Sequence, residues 1–101
     1  MNSLDTRQTL ENKRVLITGA GGGLGRSHAV LMAERGADII VQDVNSERAA
    51  ETAQQVMETG RQAKVLVSDI VDVDNFCSGL LAVGQIDVLV NNAGVGGLGR
   101  K

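Results

Sequence analysis

The chain has no tyrosine, no tryptophan and no proline, and its one aromatic residue is Phe76. Cysteine is nearly absent too. Cys77 stands alone, which excludes an internal disulfide and fits a reducing, cytoplasmic setting. Basic charge has no majority: 10 Lys and Arg face 12 Asp and Glu, for a formal net charge of −2. The cations are scattered, so no nucleic-acid partner is expected. No apolar run approaches the ~18 residues of a membrane span, so no membrane partner is expected. Met1 to Asn12 is polar and lacks the apolar centre of a secretory signal. These exclusions leave one domain at most, in a chain of 101 residues that is 43% hydrophobic.

What is present centres on Val15-Leu16-Ile17-Thr18-Gly19-Ala20-Gly21-Gly22-Gly23-Leu24-Gly25-Arg26. Val15, Leu16 and Ile17 read as a buried parallel strand. The glycines allow a sharp turn and close approach to a ligand. From Leu24 to Arg35 the residues suit a helix, which Gly36 can stop in a left-handed conformation. A strand, a glycine turn and a helix start aim backbone N–H groups and a helix dipole at one point, where phosphate binds. A P-loop is the near rival, because Gly25-Arg26-Ser27 imitates its ending. That motif needs a glycine where Ala20 stands and a lysine where Arg26 stands.

Further strands are expected at Ile39-Ile40-Val41, Val65-Leu66-Val67 and Ile86-Asp87-Val88-Leu89-Val90. Between them lie a helix capped by Asn45 or Ser46 and a short one capped by Asp72. Val73, Phe76, Cys77, Leu80 and Leu81 are expected on one side of the short helix, with Cys77 in the core. His28 reads as a core or boundary residue of the first helix. Consecutive apolar positions in each strand imply a parallel sheet covered by helices. The class is α/β, β-α-β-α-β-α-β, and right-handed crossovers give strand order 3-2-1-4. The chain divides into a polar leader (1–12), a partial domain (13–94) and a glycine-rich tail (95–101).

Asp43 follows Gly25 by 18 residues, at the carboxyl end of the second strand. A dinucleotide fingerprint places there an acid that accepts hydrogen bonds from the adenosine ribose. A 2′-phosphate ~4 Å from this carboxylate would meet about 1 kcal/mol of repulsion per charge pair in water, and several-fold more near protein. Neither Gly22 nor Val44 offers a compensating cation. NAD is therefore expected in preference to NADP.

Thr18-Gly19-x-x-x-Gly23-x-Gly25, Asp43, Asp69 and Asn91-Asn92-Ala93-Gly94 resemble the N-terminal half of a short-chain dehydrogenase/reductase, over about Leu10 to Gly94. The resemblance implies a Rossmann-like doubly wound sheet in which Gly19, Gly21, Gly22, Gly23 and Gly25 hold the NAD pyrophosphate, with a backbone contact from Leu24. It implies that Asp69, with the backbone of Ile70, meets the adenine. Asn92, Ala93 and Gly94 would pass beside the adenosine ribose. Family members also carry a serine and then Tyr-x-x-x-Lys, well past the Asn-Asn-Ala-Gly segment. This chain has no tyrosine, and Lys13, Lys64 and Lys101 lie outside that context.

The segment from Asp69 to Asn91 is also about one turn tighter than the family spacing. The expected reading is the NAD-binding part of an oxidoreductase acting on an alcohol/carbonyl pair, inactive as this chain alone, with the small substrate met only in the complete enzyme. Self-association or a homo-oligomer is expected, because the fourth strand lies at a sheet edge. The alternatives are a non-catalytic nucleotide-binding or assembly module and half of an S-adenosylmethionine methyltransferase. The last favours an acid near the first glycine, where this chain has Thr18.

Overall fold

The structure is a computed structural model and describes residues 10–92. The elements run β1 (Arg14–Ile17), α1 (Gly23–Glu34), β2 (Asp38–Asp43), α2 (Ser46–Glu58), β3 (Ala63–Val67), α3 (Val73–Val83) and β4 (Val88–Val90). The strands form one parallel sheet in the order β3-β2-β1-β4. Leu16 lies opposite Ile40 on one side and Leu89 on the other, which fixes the register of the central strand.

Alternation along the strands divides the core in two. Val15, Ile17, Ile39 and Val41 face α1 and α2, where Ala29, Ala33, Ala49, Ala53 and Val56 meet them. The alanines keep the helix axes close to the sheet. Leu16, Ile40 and Leu66 face the other way and receive Val83, with Phe76, Leu80 and Ile86 packed around them. Ile39 and Ile40 are each 1% exposed, so β2 is buried on both faces, which is why its sequence does not alternate. Burying each such side chain contributes about 1.5–3 kcal/mol before entropy is counted.

Local signals set the element ends. Asn45 Oδ1 accepts from the Arg48 N–H at 2.8 Å and caps α2, and Asp72 Oδ1 accepts from the Asn75 N–H at 3.3 Å and caps α3. Gly36, at φ 103°, turns the chain out of α1 as expected, in a conformation that a side chain would strain. Before β1, Leu10 packs on the first core and the Asn12 N–H donates to Gly36 O at 3.3 Å. At the amino ends of the strands, Asp87 Oδ2 accepts from the Arg14 N–H at 2.9 Å, and Gln85 Nε2 donates to Asp87 Oδ1 at 2.8 Å. Both bonds favour the ionised carboxylate and hold Asp87 below its ordinary pKa.

Two expectations for α3 are corrected. Cys77 is exposed and not in the core, and Val73 and Leu81 are 64% and 85% exposed. The apolar stripe read from the sequence is wider than the strip of helix that the sheet covers. Phe76, Leu80 and Val83, spaced by a helical turn each, take the sheet. Val73, Cys77 and Leu81 lie on the adjoining strip. Leu89 in β4 is likewise 58% exposed.

Candidate functional site

The turn between β1 and α1 is held from several directions at once. Gly19 and Gly23 have φ of 63° and 56°, a region that glycine enters without steric cost. Gly19 is pinned on both sides by the strands flanking β1. Its N–H donates to Gln42 Oε1 at 2.9 Å, and its carbonyl accepts from Asn92 Nδ2 at 3.3 Å. Ala20 N–H donates to Gln42 O at 2.8 Å, while Ala20 O accepts from the Thr52 hydroxyl at 2.7 Å. Arg26 closes the set: its Nη2 donates to Gly21 O at 2.6 Å and its Nε to Thr52 Oγ1 at 2.8 Å. The same guanidinium pairs with Glu51 at 3.1 Å.

The turn carbonyls at Gly19, Ala20 and Gly21 thus point to donors within the protein, while α1 begins open. Its N-cap is Gly22, no side chain caps it, and its first turn carries no acidic residue. An uncapped helix start presents N–H groups and the positive end of its dipole, which suits an anion.

The glycines fall into two kinds. A Cβ on Gly21 would lie 2.7 Å from Asp43 Cγ and Oδ2, and one on Gly25 would collide with the Gly19 carbonyl and come 2.9 Å from Asn92 Nδ2. These positions are glycine because other parts of the protein approach them. Gly22 and Gly23 instead face open space, with nothing within 4 Å of an added Cβ. Leu24, beside them, is 66% exposed. Room for a phosphate group therefore lies over the uncapped end of α1.

The acids stand at the neighbouring strand ends. Asp43 is half-buried; its Oδ2 accepts from the Gly21 N–H at 2.9 Å and its Oδ1 from the Asn45 N–H at 3.0 Å. Asp69 is exposed after β3, with Oδ1 accepting from the Val71 N–H at 3.1 Å, and Ile70 beside it is half-buried. The turn, Asp43 and Asn92 are in direct contact, and Asp69 joins them through Gln42, whose Nε2 donates to Ser68 O. Ala93 and Gly94 lie outside the described residues. The grouping sits at the carboxyl ends of the strands, where the order reverses between β1 and β4.

Sequence reasoning missed Gln42, Thr52 and the clamping role of Arg26. A polar residue between Val41 and Asp43 in an apolar strand was the available signal, because a buried amide needs partners. His28 is half-buried, as a boundary residue would be.

Residues 13–101 match the short chain dehydrogenase family. The chain belongs to that family. Among its relatives, an uncharacterized oxidoreductase of Thermotoga maritima is 38% identical over 87 residues, covering 84% of this chain and 35% of its own length. The 7alpha-hydroxysteroid dehydrogenase of Escherichia coli K12 is 35% identical over 92 residues, covering 87% of this chain and 36% of its own length. A crystal structure of a 3-oxoacyl-[acyl-carrier protein] reductase from Brucella melitensis with bound NAD superposes with a TM-score of 0.81 at 33% identity, over 89% of this chain and 35% of that one. The short chain dehydrogenase chain described here thus spans about a third of the length of the relatives it matches. Its strand order and alternating helices are those of a Rossmann fold. Among the described residues, no helix is long and apolar enough to cross a membrane.

Proposed function

We propose that this chain binds NAD(H), in preference to NADP(H), as the N-terminal part of an oxidoreductase that transfers hydride between the nicotinamide and an alcohol/carbonyl pair. The observation that carries the reading is the Asp43 carboxylate, held against the glycine turn by the Gly21 and Asn45 N–H groups. A carboxylate fixed there can accept from ribose hydroxyls and repels a 2′-phosphate. Gly19, Gly21, Gly22, Gly23, Leu24 and Gly25 would line the pyrophosphate, Asp69 and Ile70 the adenine, and Asn92, Ala93 and Gly94 the ribose side. The similarity to the Brucella reductase with bound NAD supports a dinucleotide ligand.

Bound NAD supplies the hydride acceptor. The chain contains no tyrosine, so no phenol is available to hold or deliver the hydroxyl proton, and the chain by itself turns over no alcohol or ketone. The exposed Val73, Leu81 and Leu89 favour association with another polypeptide surface, whether a second copy or further chain. The single cysteine favours a cytoplasmic location.

Calorimetric titration with both cofactors tests the proposal. NAD should bind more than about tenfold tighter than NADP, and Asp43→Ala should narrow the gap. Equal affinities, or tighter NADP, would remove Asp43 from its assigned role.

A further inference from the structure

Gln42 is 2% exposed, near the end of a strand whose other buried members are all apolar. Its amide works in two directions. Oε1 accepts from the Gly19 N–H at 2.9 Å, and Nε2 donates to Ser68 O. Gly19 follows β1 and Ser68 follows β3, and these two strands are not neighbours because β2 lies between them. One side chain therefore ties together the two flanking strand ends. We propose that Gln42 is a positioning residue of the dinucleotide site, locking the phosphate turn to the Ser68-Asp69 segment so that both ends of an adenosine diphosphate group meet partners at a fixed separation.

This inference rests on the dinucleotide reading above and deepens it. Backbone bonds run alongside the side chain: Ala20 N–H to Gln42 O at 2.8 Å, and Ser68 N–H to Asp43 O at 3.1 Å. They hold the strand ends, but neither reaches the Gly19 amide, whose orientation sets the first glycine of the turn. Beyond it, the Ser68 hydroxyl donates to Asn75 Oδ1 at 2.9 Å, which carries the connection to the start of α3.

The chemistry of the residue matters more than its size. The site needs an acceptor at one tip and a donor at the other, which a neutral amide provides. Methionine has the length and neither function, and leaves Gly19 N–H and Ser68 O without that partner. Glutamate accepts from Gly19 in either state, but only its protonated form donates to Ser68; ionised, it turns an oxygen against the Ser68 carbonyl. No charged side chain bonds the Gln42 amide among the described residues. The carboxylates around it are engaged elsewhere or exposed: Asp43 with Gly21 and Asn45, Asp69 with Val71, and Asp72 and Asp74 at the start of α3.

The test is NAD titration calorimetry on the full chain, comparing the parent, Gln42→Met and Gln42→Glu from about pH 5 to about pH 8.5, a range that spans the titration of a buried carboxyl. Each affinity is taken as a ratio to the parent at the same pH, which cancels any pH effect the two chains share. Thermal unfolding at each pH confirms that the folded form is being titrated. Gln42→Met should bind about tenfold more weakly at every pH. Gln42→Glu should approach the parent at the acid end and fall at least about tenfold below it at the alkaline end, a pH signature that loss of packing alone would not give. A flat Gln42→Glu ratio, or Gln42→Met equal to the parent, overturns the proposal. If Gln42→Met does not fold, the Gln42→Glu profile decides alone. A parent chain that binds neither NAD nor NADP overturns the dinucleotide reading itself, and this inference with it.

Discussion

Replacing Gly21 with alanine probes the proposed cofactor site through a single methyl group. The new Cβ would stand 2.7 Å from Asp43 Cγ and Oδ2 and 2.9 Å from Arg48 Cβ. Carbon atoms in contact prefer about 3.5–4.0 Å, so the carboxylate must withdraw by about 1 Å. The bond from Gly21 N–H to Oδ2, now 2.9 Å, is then stretched past hydrogen-bond range. Gly21 does not occupy the positive-φ region, so alanine strains no backbone there and even reduces unfolded-state entropy by about 0.4–1 kcal/mol. Set against a lost bond to a charged acceptor of about 1.5–3 kcal/mol, the net loss of stability is about 1–2 kcal/mol.

The effect on ligand should be larger. Displacing Asp43 would remove or weaken the hydrogen bonds proposed for it with the ribose, and a loss of about 2–3 kcal/mol would lower NAD affinity about 30- to 150-fold. NADP should lose less, because the displaced carboxylate no longer crowds the 2′-phosphate. Titration calorimetry with both cofactors, alongside thermal unfolding, measures the two effects separately. Gly22→Ala serves as the control for stability: its φ is −173°, open to any residue, and nothing lies within 4 Å of its Cβ, so its melting temperature should match the parent's. If Gly21→Ala binds NAD within about twofold of the parent with its preference intact, the steric argument and the place of Asp43 both fail.

Gly25→Ala should be more damaging to the fold, since its methyl would strike the Gly19 carbonyl and crowd Asn92. A drop of at least about 2 kcal/mol in urea unfolding is expected, and a change below about 0.5 kcal/mol would contradict the close packing of α1 on the turn. Thr52→Val keeps the volume of a fully buried side chain but strands Arg26 Nε and Ala20 O, so the urea midpoint should fall by the equivalent of about 1–3 kcal/mol. Asp87 has a folded pKa below its ordinary 3.8, so the stability it contributes is present above that value and is lost as pH falls through the folded pKa. Acid unfolding of Asp87→Asn should accordingly depend less on pH below about 4, and a profile identical to the parent's would refute the assignment. Leu81→Glu, at a position 85% exposed on α3, should shift any self-associated chain toward monomer on size exclusion; an unchanged elution volume would place the contact elsewhere.

Much of this architecture was legible because each strand is short, apolar on successive residues and followed by a clear turn or cap. Asn45 and Asp72 cap the helices that they open in the sequence, and Gly36 ends the first helix where it was expected. The strand order followed from right-handed crossovers together with a switch point between the first and fourth strands. The position of Asp43 at the end of β2 was legible as well, because the apolar run of the strand leads up to it. Three things were not. Which part of the α3 stripe meets the sheet depends on how the helix is rotated, and Phe76, Leu80 and Val83 prevailed over Val73, Cys77 and Leu81. The Arg26–Thr52 clamp joins residues on different helices, and no local pattern announces it. Gln42 drew no reading of its own from the sequence, because its partners lie 23 and 26 positions away.

The unequal division of the core between the two faces sets a timetable for the nascent chain. Every buried member of the larger cluster falls between Val15 and Val56, so that face can close once α2 has left the ribosome. The smaller cluster has to wait for Phe76, Leu80 and Val83. At about 5–20 residues per second, Val83 is added about 1–5 s after Val56. During that interval the sheet shows Leu16, Ile40 and then Leu66 to solvent on its uncovered side. A holdase that recognises short apolar strands would find its window there, and would be displaced by the third helix of the same polypeptide.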